Sequence, residues 1–240
     1  MLFSILQRYD SIHQNKIVFT INIKNTSSYT IMSILSKLFH YVLLTTAKYG
    51  IDESHGIIHS MNVFQYATKL YETEIPKYPI LKTQKNLIYT SAILHDMCDK
   101  KYMDEKQGVA EIEQFLHNEH ILCPNEIGIA KQIMTTMSYS KVKVHGFPHL
   151  GGYQRAYHIV READLLTAYD FDRALIYYMN TQQVNIEDAF QNTRDLFHKR
   201  MLQHNNDHLF LLDYSKQESV KLHHKAIQRI QVWKQRIYQT

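Results

Sequence analysis

From about residue 31 onward, apolar side chains recur every three or four positions with little to interrupt them. That spacing is the pattern of α-helices that each bury one face. Only seven Gly and four Pro occur in 240 residues, too few breakers for a turn-rich β sandwich. The pattern predicts helices over about 31–48, 55–74, 82–97, 105–118, 124–137, 154–180, 185–204 and 215–238. The segment 82–97 is apolar on most sides, through Leu87, Ile88, Ala92, Ile93 and Leu94, which places it at the centre of the core. Tyr78-Pro79 breaks the chain before it. The stretch 138–153 holds three of the seven Gly and reads as a long loop. A chain that is 45% hydrophobic and 12% aromatic can fill the core of one large all-α domain.

Residues 1–30 read differently. Phe19, Ile21 and Ile23 alternate with Thr20 and Asn22, as in a strand, and the run NTSSYT at 25–30 reads as a loop and a helix start. The expected organisation is a small N-terminal appendage with β character (1–30) followed by a helical domain (31–240). Within that domain the last predicted helix carries an apolar stripe of Leu222, Ala226, Ile230, Trp233 and Ile237. Its other face is basic, with Lys216, Lys221, Lys225, Arg229, Lys234 and Arg236. A solvated face is the commoner meaning of such a run, and contact with an anionic ligand, a nucleic acid or a partner is the sharper one.

A formal net charge of +4 does not by itself indicate nucleic-acid binding. Two cysteines, Cys98 and Cys123, without a CxxC pair argue against a disulfide framework and for a reducing compartment. The opening MLFSILQRYD lacks the basic start and apolar run of a signal peptide, and no stretch approaches the roughly 18 apolar residues of a membrane span. A soluble, intracellular protein is expected.

Three short segments carry chemistry. His95-Asp96 closes the most apolar helix. Fifteen His and twelve Asp make about one His-Asp pair expected by chance, so the context must carry the signal. A buried helix end that finishes in His and Asp needs partners for both, and a metal ion satisfies them together. The second segment is Ser54-His55-Gly56-Ile57-Ile58-His59-Ser60-Met61-Asn62-Val63, with two His four apart. The two share a helical face if the helix covers both. The third is Val160-Arg161-Glu162-Ala163-Asp164-Leu165-Leu166, an Asp inside an apolar helical run. Pairing with Arg155 or Arg161 is the plain alternative for that Asp.

Taken in order, His59, His95-Asp96 and Asp164 resemble the HD-domain superfamily of metal-dependent phosphohydrolases. His59-Ser60-Met61-Asn62-Val63, Leu94-His95-Asp96 and Glu162-Ala163-Asp164-Leu165-Leu166 match that family's local contexts. The likeness covers about residues 45–180, and is greatest to small HD nucleotide pyrophosphohydrolase-like proteins. It implies an HD-type helical bundle with one divalent metal on His59, His95, Asp96 and Asp164, followed by C-terminal helices over 185–238. Two imidazoles and two carboxylates suit Mn, Fe, Co, Ni or Zn and tolerate Mg. Two further positions would then be open to water and a phosphate oxygen.

The resemblance also implies a catalytic Asp99, which would activate or orient the attacking water. His55, Lys100, Lys101 and Arg161 are the candidate phosphate-binding residues. Ser138, Tyr139, Ser140 and Lys141 are placed at the pocket mouth. The implied partner is a small phosphorylated substrate, a nucleotide by preference, with no role for a membrane or a nucleic acid.

The chain departs from other branches of the family. It lacks the GYP signature of cyclic-dinucleotide hydrolases and the acidic pair that follows the HD helix in guanosine tetraphosphate hydrolases, since Lys100 follows Asp99. A di-iron oxygenase would need two more His, drawn from His120, His145, His149 or His158, and no flanking pattern supports them. A non-catalytic module that keeps its metal for structure is the remaining alternative.

Overall fold

The computed structural model describes residues 26–238, with side chains from residue 33 onward. Residues 35–238 belong to one compact unit. The strand-like alternation at Phe19, Ile21 and Ile23 lies outside the described residues. Among those described there are ten α-helices and no strand, so the fold is all-α.

Helix α1 spans Thr26–Tyr49, α2 Ile57–Glu74 and α3 Lys85–Leu94. They are followed by α4 (Glu105–Asn118), α5 (Pro124–Thr136), α6 (Tyr139–His145) and α7 (Gln154–Thr167). Helices α8 (Phe171–Gln182), α9 (Ile186–Lys199) and α10 (Asp213–Tyr238) complete the chain. A 3₁₀ turn at Pro79–Gln84 leads into α3.

Every residue of α3 from Leu87 to Leu94 is buried, as expected of a helix apolar on most sides. It packs against α2, α5 and α7, and α2 and α7 pack along each other. The half-buried Arg155 of α7 donates to the buried Glu74 of α2 and ties the two helices together. Such a pair contributes mainly by avoiding the cost of a lone buried carboxylate.

Two expectations are corrected. The predicted helix 154–180 is two helices. Asp170 starts the second, its side chain accepting a hydrogen bond from the Arg173 backbone N–H at 3.1 Å. That cap offsets the cost of breaking the apolar run at Ala168–Asp170. The predicted loop 138–153 contains α6, which ends at Gly146 with φ +72°, and a 3₁₀ turn at Gly151–Tyr153. Gly146 takes a left-handed conformation there that a side chain would disfavour. Boundaries elsewhere move less. His55 falls outside α2, whose N-cap is Gly56.

The segment 95–103 after α3 is held by α4. A Cβ added at Gly108 would lie 2.9 Å from Cys98 Cα and 2.7 Å from Met103 Sδ, so this helix lies against the backbone of the turn. Asp104 caps α4 by accepting from Gln107 N at 2.8 Å.

Candidate metal centre

Three elements converge. His59 lies in the first turn of α2, His95 and Asp96 follow the last residue of α3, and Asp164 is on α7. His59 Nε2 and His95 Nε2 are 3.1 Å apart. Asp96 Oδ2 is 3.1 Å from the first and 3.2 Å from the second. Asp164 Oδ1 is 3.4 Å and 3.6 Å from the same two nitrogens. Ligand atoms each held about 2.1 Å from one ion would be about 3.0 Å apart at right angles and about 3.4 Å apart at the tetrahedral angle. His59, His95 and Asp96 thus form a group that can hold a metal ion.

The orientation of His95 supports that reading. Its Nδ1–H donates to the Ala92 carbonyl at 2.9 Å, so its Nε2 faces the carboxylates, where it carries either a proton or, as a lone pair, a metal ion. Asp96 Oδ2 is buried, with the Nε2 atoms of His59 and His95 as its polar neighbours. An anionic oxygen and an inward nitrogen lone pair repel unless a cation lies between them. Burial alone would raise both carboxyls. The neighbouring imidazoles outweigh it and hold Asp96 and Asp164 well below the usual carboxylate range. Burial likewise works to lower His95, and Asp96 and Asp164 reverse the effect. The site therefore favours positive charge among ionised carboxylates.

The centre opens into a cavity of about 280 Å³. Of the expected phosphate-binding residues, His55, Lys100 and Lys101 line it, as does Asp99. Lys101 Nζ donates to His55 Nε2 at 3.0 Å, and Asp99 Oδ1 accepts from the Lys101 backbone N–H at 2.9 Å. His55 Nδ1 lies 3.0 Å from the Tyr102 hydroxyl, which donates in turn to Asp52. Burial, opposed by Asp96 and reinforced by Lys101, lowers His55 and keeps it neutral. Ser138, Ser140 and Lys141 line the cavity too, whereas Tyr139 turns away and donates to Asp207 at 2.9 Å.

Arg161 is not brought to the cavity. Only 1% exposed, it donates to Glu162 at 2.9 Å and to the Leu209 carbonyl at 2.6 Å. Its guanidinium stacks on Phe147. Glu162 also accepts from the backbone N–H groups of Leu211 and Leu212, so the pair fixes the chain entering α10. His120, His145, His149 and His158 do not line the cavity either.

Among the cavity residues that escaped the sequence reading are two arginines, Arg173 and Arg200. Arg173 donates to the Ser54 carbonyl at 3.2 Å and contacts His59 Nδ1. One signal was available. Arg173 sits in the first turn of α8, where the helix dipole disfavours a cation. On the same His59 nitrogen, at 3.5 Å, lies the hydroxyl of Thr167, which itself donates to the Asp164 carbonyl.

Comparison with known proteins finds no matching family model, curated protein or solved structure.

Proposed function

We propose that this chain is a metal-dependent phosphohydrolase that acts on a nucleotide or another small phosphorylated metabolite. The observation that carries the proposal is the meeting of two imidazole nitrogens and two carboxylate oxygens, 3.1–3.6 Å from one another across the measured pairs, at the base of a cavity walled by cations.

His59, His95, Asp96 and Asp164 would hold one divalent ion. Their mixed nitrogen and oxygen set suits Mn, Fe, Co, Ni or Zn and tolerates Mg. When bound, the ion would neutralise phosphoryl charge and acidify a water molecule. Asp99, on the cavity wall, would take the proton from the attacking water. Lys100 has no acidic partner among the described residues and is free to hold a phosphate oxygen as a point charge. Lys101 is steered toward the cavity by His55.

Arg173 would move in the working state. His59 can present an Nε2 lone pair only if Nδ1 carries the proton, and a guanidinium cannot accept that proton. Thr167 Oγ1 can. Arg173 would then leave His59 and turn its fork on the phosphate.

Elemental analysis tests the first half of the proposal. About one transition-metal ion per chain is expected in the wild type and none in the His95→Ala, Asp96→Ala double variant. Release of phosphate or pyrophosphate from a nucleotide panel with that metal tests the second half. Asp99→Ala should lower kcat by about a hundredfold while retaining the metal. No bound metal after reconstitution with Mn or Fe would overturn the site. Bound metal with no turnover across the panel would overturn the reaction.

A further inference from the structure

A second cavity lies apart from the metal pocket. A cleft of about 700 Å³ lies between α2 and α10, with the α7–α8 junction as its floor. On α2, Asn62, Gln65, Tyr66 and Lys69 line it at helical spacing. On α10 the lining runs from Tyr214 and Glu218 to Lys225 and Arg229. Of this surface the proposed chemistry uses only Thr167, which supports His59, and Arg173, which lines both cavities.

The charges in the cleft do not cancel. Asp172 is taken up by Arg229, at 2.6–2.9 Å, and by the Trp233 indole N–H at 2.7 Å. Glu218 accepts from Lys221 at 2.9 Å, and Asp170 caps α8. No salt bridge among the described residues occupies Lys69, Lys225 or Arg173. Arg173 has only a carbonyl oxygen and an imidazole as partners, leaving most of its fork unused.

The cleft also has two chemically distinct ends. Tyr66 lies near Tyr214 and Glu218, so the aromatic end is set by the start of α10. The Arg229–Asp172 pair joins the middle of α10 to the first turn of α8, which puts Lys225 and Arg173 toward the other end. Eleven residues separate Tyr214 from Lys225, a rise of roughly 16 Å along the helix, and the long side chains at the two ends can reach inward over part of it.

We propose that this cleft is a second ligand site that takes a nucleoside monophosphate, with Tyr66 and Tyr214 against the base and Lys225 on the phosphate. A volume of about 700 Å³ is within the usual range for such ligands. The inference stands apart from the metal chemistry and does not depend on the phosphohydrolase reading.

The test is calorimetric titration of the full chain, treated with chelator, with adenosine, guanosine, cytidine and uridine 5′-monophosphates. Saturable binding of at least one is expected. The His95→Ala, Asp96→Ala variant should retain that affinity, and Lys225→Glu should weaken it by about tenfold or more, since it reverses a charge at the phosphate. Lys225 is exposed, so an unchanged thermal melt is expected and checks that the variant is folded. Failure of all four nucleotides to saturate at millimolar concentration would overturn the proposal. Binding that disappears in the metal-site variant and survives Lys225→Glu would place the nucleotide at the metal pocket instead, and overturns it too. So would orthophosphate binding as tightly as the nucleotide, because the ring would then contribute nothing.

Discussion

The two ring nitrogens of His59 face opposite demands, Nε2 toward the three other proposed ligands and Nδ1 toward Thr167 and Arg173. Thr167 is the only one of those two neighbours that can accept a proton. Thr167→Val keeps the shape and removes the acceptor. Metal affinity should fall by about 10–100-fold, measured by competition with a chromogenic chelator. An unchanged affinity would remove Thr167 from the site's support. A second residue-scale effect concerns acid. His204 is fully buried with neither ring nitrogen hydrogen-bonded, and burial, aided by Arg200, lowers its pKa to about 3. Burial lowers His158 to about 4. Each is neutral when folded and free to protonate when unfolded, so the unfolded chain binds more protons between pH 6.5 and those values. Stability is therefore present above pH 6.5 and is lost as pH falls, by about 1.4 kcal/mol per pH unit for each histidine within its window. Replacing His204 with Phe should flatten the fall in urea midpoint between pH 7 and pH 5. Parallel falls in the variant and the wild type would contradict the assignment.

At the scale of elements, the turn carrying Asp96, Asp99 and Lys101 is positioned by the close approach of α4. Gly108→Ala would force Cys98 and Met103 apart from that helix, and although Met103 Sδ is the nearest atom, the Cys98 backbone at 2.9 Å cannot yield cheaply. A loss of about 1–3 kcal/mol in stability is expected, with weaker metal binding in the folded fraction. Chemical denaturation and metal titration would read the two effects separately. A variant as stable as the wild type would show that the helix moves without cost. Much of this level was legible beforehand. The apolar periods of α2, α4, α5 and α10 are strong because each buries a definite face, and α3 was plain because it is buried all round. The break at Asp170 was not read, because Leu165, Leu166, Phe171 and Leu175 keep an apolar rhythm across it and only the cap interrupts. Helix α6 was hidden by the neighbouring glycines.

On the scale of the whole molecule, α7 is the common support. It packs on α2, α3 and α10, carries Asp164, and through Glu162 holds the backbone at Leu211 and Leu212. A ligand bound at Asp164 and His59 therefore ties together helices that unfold together. Metal at a thousandfold excess over its Kd should add about 4 kcal/mol, a rise of about 10 °C in Tm, and chelator should reverse it. No shift in a calorimetric scan would separate the centre from global stability. The four residues proposed to hold the metal stood out in the sequence because their three local contexts, taken in order, resemble the HD-domain pattern. Arg173 and Arg200 did not, because their approach to the cavity depends on how α8 and α9 fold back. The close packing of α4 on the turn after α3 leaves the protein with an internal clock. Cys98 is 3% exposed between Asp96 and Asp99, and burial, with the charges of Glu105 and Asp96, pushes its thiol up to about 12, while Cys123 is exposed. A thiol reagent should therefore label Cys123 at once and Cys98 only when the segment 95–103 swings out. The slow phase would time that opening directly, and its lengthening on addition of metal would report, without any substrate, how firmly the ion grips the turn.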